Sequence, residues 1–228
     1  RRNQRRPLLV YATDLAWSLT DADVGDSPQR NRHVAIRIYH QTVELFNPEP
    51  ILFLKPSTAL LDGGGVVTLP RWSDEVHHEV ELVVRIGDDA KDVPVADVHR
   101  FVDGWGVGVD LTARDIQARA KERRQPWAVA KGFDGSAPVS RLLPVTSLDG
   151  LSEVELTLEV GGEIRQRGST SAMLWTVREL VAFASSRFTL ERGDLLFTGT
   201  PQGVGPVVSG DRILATAGEA RLEVAVVR

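Results

Sequence analysis

Glu79 and Glu81 stand two residues apart in HHEVELVVRIG, the stretch from His77 to Gly87. Side chains of an extended chain point to opposite faces in turn, so the two carboxylates share one side of a strand, about 7 Å apart. His77, Val83 and Arg85 lie on that side, while Val80, Leu82, Val84 and Ile86 form a core face. Two acids so placed repel each other unless solvent, a base or a cation stands between them. An ordinary antiparallel strand with one wet face has the same pattern. Asp110, in GWGVGVDLTARD, ends a second strand whose glycines leave room for another backbone or a ligand to approach. If the two strands are neighbours, Glu79, Glu81 and Asp110 form an oxygen-only nest of the kind that suits Mg²⁺ or Mn²⁺.

Other side chains cluster in sequence around this group. Arg114 and Gln117 are three apart and share a helical face. Lys131, in AVAKGFD, has apolar and small neighbours; such a lysine either snorkels to the surface or presents its cation to an anionic intermediate. FTGTPQGVG, from Phe197 to Gly205, is a strand running into a loop that offers the hydroxyls of Thr198 and Thr200 and several backbone N–H groups able to cradle an anion. Its glycines do not follow the P-loop spacing and no lysine follows them, so nucleotide binding is rejected.

The elements that must position these groups are mostly strands. Short segments rich in Val, Leu and Ile between turn residues predict strands near 34–38, 51–55, 76–86, 105–111, 153–160, 194–198, 211–215 and 220–227. Spacing nearer 3.6 predicts helices over Val95 to Trp105, Thr112 to Arg124 and Thr176 to Phe188. Gly161 and Gly162 read as a two-residue hairpin turn, and Gly193 as a residue with positive φ. Residues 1–33 are the least patterned and are expected to be loosely attached. The fold class expected is α+β, strand-dominated, in one compact domain.

Composition narrows the partners. The formal net charge of −4 and pI near 5.8 argue against nucleic acid or a membrane surface, which call for a basic field; the Arg-rich opening RRNQRR reads as a solvated tail. Cysteine is absent, which removes disulfides, thiolate metal sites and cysteine nucleophiles. No apolar run reaches the roughly 18 residues of a membrane span, and no signal-peptide pattern opens the chain, so the cytoplasm is the expected location.

EPILFLKPSTAL, HHEVELVVRIG, GVDLTARDIQ, PWAVAKGFD, APVS, RQRGSTSAM and LLFTGTPQGVGPV occur in this order. In order and wording they resemble the fumarylacetoacetate hydrolase family, and within it the short acylpyruvate hydrolase and oxaloacetate decarboxylase members. The resemblance covers about Pro48 to Arg228. It implies a mixed β-sandwich roll, a homodimer, and a catalytic domain over 48–228 preceded by an N-terminal segment and candidate lid over 1–47. It further implies Mg²⁺, with Mn²⁺ as the alternative, held by Glu79, Glu81 and Asp110. Arg114, Gln117 and Lys131 would surround the substrate, a small 2-oxo acid. Thr200, with Gly199 beside it, would anchor the substrate carboxylate. His77 and His78 are assigned to supporting or packing positions, and Lys55 is left open between the site and the core.

One stretch departs from the family pattern. Hydrolytic members carry a water-activating histidine and glutamate in a segment reading roughly R-N-Y-x-x-H-x-x-E. Here RIYHQTVELF places Thr42 and Leu45 at those positions. His40 and Glu44 lie four apart, and on a helical turn they share a face and could substitute. With the dyad displaced, decarboxylation or enol–keto isomerisation is expected ahead of hydrolysis. An isomerase of unsaturated 2-hydroxy dioic acids and a catalytically silent metal-binding relative are the alternatives.

Overall fold

Val80, Leu82 and Val84 are fully buried, and so is Val83 on the opposite side of the same strand. The wet outer face is therefore corrected: the Val80–Ile86 strand is central in its sheet and has core on both sides. The computed structural model describes residues 9–13 and 49–228. Among them the expected strand near 34–38, His40 and Glu44 do not fall, and those readings lie outside the described residues.

Three sheets account for the described strands. The largest runs Ile51–Lys55, Leu9–Thr13, Leu195–Phe197, Val80–Ile86, Val102–Val109, Ala137–Val139, Leu60–Asp62, with Leu143–Pro144 paired to Val102–Val109. It is mixed: Leu9–Thr13 lies parallel to Leu195–Phe197, and Leu60–Asp62 parallel to Ala137–Val139, while Val80–Ile86 is antiparallel to both its neighbours. A five-stranded sheet runs Glu163–Ser169, Glu155–Val160, Arg212–Ala217, Ala220–Val227, Gly65–Thr68, and its inner strands pack on Val80–Ile86 and Val102–Val109. Most of the apolar core lies there, with a smaller cluster of Ala59, Val83, Ala137, Val139, Leu195 and Phe197. The third sheet is small: Gly205–Val207, Val76–His78 and Thr112–Ala113.

Two helices lie where the periodicity places them. Arg114–Glu122 falls within the expected 112–124, its first two positions being taken by the Thr112–Ala113 strand. Val177–Arg187 opens on a capping box in which Thr176 and Glu179 exchange hydrogen bonds, satisfying two backbone donors that helix geometry leaves unpaired. Gly161 and Gly162, at φ of 61° and 87°, form the hairpin turn, since positive φ at both central residues matches strand twist. Gly193 also has positive φ, 95°.

Three expectations change. Val95 to Trp105 is not a helix: a 3-10 turn occupies Val95–Arg100 and a strand starts at Val102. The apolar residues at 95, 98, 102 and 105 have helical spacing, but Gly104 and Gly106 each disfavour a helix by about 1 kcal/mol, and pairing with Val80–Ile86 claims this backbone. The expected strand over 76–86 is two strands, Val76–His78 and Val80–Ile86, in different sheets and separated by Glu79 alone. Within the stretch expected to be loosely attached, Leu9–Thr13 is a strand between Ile51–Lys55 and Leu195–Phe197.

The glycines of Val102–Val109 make room for side chains of their own protein. A Cβ on Gly108 would stand 2.5 Å from the Phe197 ring and 2.8 Å from Val83, and one on Gly106 would stand 2.6 Å from Ser140 Oγ. Gly108→Ala is expected to cost about 1–3 kcal/mol by overpacking, read as a fall of about 2–4 °C in Tm for each kcal/mol. An unchanged Tm would show that Phe197 has room to retreat.

Candidate active site

The register of the central strands builds the acidic group. Val80 pairs with Val109 and Glu81 with Gly108, and the ladder reaches one step further, where Asp110 N–H donates to Glu79 O at 2.8 Å. Glu79 therefore faces Asp110 across the strands, at the separation of a cross-strand pair, and Glu81 follows two residues along on the same face. All three are about 1% exposed or less, and one carboxylate oxygen from each lies within 4.8 Å of the others.

Cations reach two of the three acids. Lys131, on the short helix Ala128–Lys131, is fully buried and donates to Glu79 Oε2 at 2.8 Å and Asp110 Oδ2 at 2.6 Å. Its other face lies 4.9 Å from the Phe53 ring centroid. Arg114 Nη2 pairs with Glu79 Oε1. Lys55 Nζ pairs with Asp110 Oδ1 at 2.6 Å. The Lys55 ammonium is spent on Ser136 O at 2.7 Å, Ser136 Oγ at 3.1 Å and Leu111 O at 3.2 Å. Snorkelling is thus the wrong picture for Lys131, and Lys55 is a buried member of the charge cluster.

The acidities follow from this wiring. Burial pushes Glu79 up, but Lys131 and Arg114 outweigh it and hold the carboxyl down at about 2. Burial pulls Lys131 down, and Asp110 with Glu79 more than reverses that, so it stays an ammonium. Burial, helped by the Lys131 charge, outweighs Asp110 at Lys55 and brings it down to about 8. Glu81 is the exception. Among the described residues it forms no ion pair; Gly199 N–H donates to Oε2 at 2.7 Å, and burial, then Asp110 and Glu79, push its pKa far up.

A divalent cation fits this donor set. The ligands are hard carboxylate oxygens, as Mg²⁺ and Mn²⁺ require, gathered within 4.8 Å of one another, and Glu81 is a buried carboxyl that forms no ion pair among the described residues. Glu79, Glu81 and Asp110 are the residues that would hold it. Gln117 supplies a second open group: its Oε1 accepts from Arg114 Nη1 at 2.6 Å, leaving a buried Nε2 with no acceptor, an arrangement costing about 1–3 kcal/mol unless a ligand meets it.

The loop after Leu195–Phe197 approaches from the third side. Thr198 spends its hydroxyl on Leu82 O at 3.0 Å, whereas Thr200 Oγ1 accepts from Gln166 Nε2 at 2.8 Å. His78 is buried with Nδ1 at 2.8 Å from Gln166 Oε1, and His77 joins Glu75 at 2.7 Å; neither belongs to the carboxylate cluster. The structure thus brings Glu79, Glu81, Asp110, Arg114, Gln117, Lys131, Gly199 and Thr200 into one network. Gln166 was not found from the sequence: nothing but the RQRG wording marks it, and its burial arises from packing between sheets.

Comparison with known proteins gives the chain's family and fold. The family described as fumarylacetoacetate (FAA) hydrolase C-terminal matches residues 29–227. The mitochondrial oxaloacetate tautomerase of Arabidopsis thaliana is 45% identical over 167 residues, 73% of this chain and 75% of that protein. The mitochondrial oxaloacetate decarboxylase of Dictyostelium discoideum is 43% identical over 166 residues, 72% of this chain and 76% of that protein. A fumarylpyruvate hydrolase from Pseudomonas aeruginosa, solved in complex with Mn²⁺ and pyruvate, superposes with a TM-score of 0.80 at 34% identity, over 98% of this chain and 89% of that one. Among the described residues no helix is long and apolar enough to cross a membrane.

The unpaired carboxyl of Glu81 sets a test. In EDTA, Glu81→Gln, which replaces an unpaired buried carboxyl with a neutral amide, is expected to melt at or above the Tm of the unaltered protein, and Glu79→Gln, which removes the carboxylate shared by Lys131 and Arg114, several degrees below it. Both are expected to lose Mn²⁺ affinity at least about tenfold, read by calorimetry. A Glu81→Gln protein that melts lower while binding Mn²⁺ normally would contradict the assignment.

Proposed function

Because the chain belongs to the fumarylacetoacetate hydrolase family, we propose that it acts on small 2-oxo acids by enolate chemistry, as an oxaloacetate-type tautomerase or decarboxylase that uses Mg²⁺, or Mn²⁺ in its place. The observation that carries this is Glu81, a buried carboxyl that forms no ion pair among the described residues, within 4.8 Å of the Glu79 and Asp110 carboxylates that hold the ammonium of Lys131. A divalent ion bound there is a Lewis acid that stabilises negative charge developing on a substrate oxygen.

The protein's own groups supply the rest. Glu79 and Asp110 fix the Lys131 ammonium in a dry setting, where a positive charge already in place stabilises an enolate without reorganising. The unmet Nε2 of Gln117 offers a hydrogen bond to a substrate oxygen, and Arg114 holds that amide in orientation. Thr200 takes the substrate carboxylate. Enol–keto exchange gives the enol O–H proton to solvent, and the resulting enolate takes a proton from solvent at carbon. Decarboxylation breaks one C–C bond, releases CO₂ and leaves an enolate that is protonated in the same way. Both are served by cationic and hydrogen-bond-donating groups that stabilise the enolate. Hydrolysis needs in addition a base to activate water, and the residues read for that task, His40 and Glu44, are proposed only as substitutes for the displaced dyad. Hydrolysis of acylpyruvates is accordingly the weaker activity in this reading.

Following oxaloacetate and its enol by ultraviolet absorbance tests it. Metal-dependent exchange or loss is expected with Mg²⁺, abolished by EDTA and by Glu81→Ala, and reduced about 100- to 1,000-fold by Lys131→Met. Turnover that is indifferent to EDTA, or absent for every 2-oxo acid tried, would overturn the assignment.

A further inference from the structure

Gln166 lies on the outer strand of a hairpin, Glu163–Ser169, and is the one buried position between exposed Arg165 and Arg167. A bulge puts it there. Leu158 pairs with Gln166 and Glu159 with Ile164, so Arg165 is skipped, and a skipped residue bends the strand and re-aims its neighbour. The site loop presses against the same place: Gly203 has φ of +93°, and a Cβ there would stand 2.1 Å from Arg165 O.

The hydrogen bonds of Gln166 admit one orientation only. Val80 N–H, which can only donate, reaches one end of the side-chain amide at 3.0 Å, so that end is the carbonyl oxygen. The other end is then NH₂, and it reaches Pro201 O at 2.9 Å and Thr200 Oγ1 at 2.8 Å. His78 Nδ1, which meets the same carbonyl, must carry its proton to donate. Thr200 Oγ1 is therefore an acceptor towards Gln166. Its own proton has no acceptor among the described residues.

We propose that Gln166 is a positioning residue that sets the hydrogen-bond polarity of the substrate pocket: by donating to Thr200 Oγ1, it leaves the threonine proton for an oxygen of the bound 2-oxo acid's carboxylate. The proposal rests on the reading that Thr200 anchors that carboxylate. It also separates two hydroxyls that the sequence offers as equals, since Thr198 has spent its proton on Leu82 O. Without the Gln166 amide, the Thr200 hydroxyl is free to turn and donate to Pro201 O, which has lost its own donor.

Pyruvate binding to the Mn²⁺-loaded protein, measured by calorimetry, tests this, with Gln166→Met, Thr200→Val and the double variant. Gln166→Met is expected to weaken pyruvate at least about tenfold, the worth of a hydrogen bond to a charged group, with Mn²⁺ affinity within about threefold of the unaltered protein. In the Thr200→Val background the same change is expected to cost nothing further, because the hydroxyl it orients is gone. With oxaloacetate, KM is expected to rise while kcat stays within about threefold, since a carboxylate anchor acts alike in the ground and transition states. Gln166→Glu, near in shape but unable to donate when ionised, gives the same cycle should the methionine variant not fold. Equal losses with and without Thr200, or a matching loss of Mn²⁺ affinity, would overturn the proposal and leave the reading of the site standing. No pyruvate binding by the unaltered Mn²⁺-loaded protein would overturn both.

Discussion

Three carboxylates are buried within ligand distance of one another, and the rest of the site is arranged around the charge this creates. Two buried ammonium groups and one guanidinium meet Glu79 and Asp110. Each pair is tenable in a dry interior because both partners are held and most of their hydrogen bonds are met. The compensation stops at Glu81, which among the described residues forms no ion pair and accepts from the Gly199 amide. A protein that needed only stability would have no use for a buried acid lacking a cation. A site for a hard divalent ion requires one.

The fold delivers this arrangement by crossing sheets at a single residue. Val76–His78 belongs to the small sheet and Val80–Ile86 to the large one, with Glu79 between them. The crossing leaves Val80 N–H to be met by a side chain rather than a strand, and Gln166 from the five-stranded sheet meets it. Gln166 in turn holds the loop at Thr200 and Pro201, and Gly199 in that loop returns to Glu81. Acid group, sheet junction and loop thus close into one hydrogen-bonded circuit, so the carboxylates and the loop hold a common frame.

The acid group was legible in the sequence because it rests on local rules. Alternation puts Glu79 and Glu81 on one face, and the glycine-rich strand before Asp110 reads as a close neighbour. The helices at Arg114–Glu122 and Val177–Arg187 followed from their period in the same way. The break at Glu79 was not legible, since the alternation runs through it with no Gly or Pro, and only distant partners decide which sheet each half joins. Val95 to Trp105 misled for the converse reason: its apolar spacing is helical, and long-range pairing overrode it. Lys55 and Gln166 escaped assignment because a lone Lys or Gln carries no local signature; their burial is made by residues 56 to 88 positions away along the chain.

The most direct measurement is an anomalous difference map from crystals of the full chain grown with Mn²⁺. The account predicts one strong peak per chain, within bonding distance of Glu79, Glu81 and Asp110. A map with no peak there, with the Glu81 carboxyl instead bonded to a lysine or arginine, would contradict it.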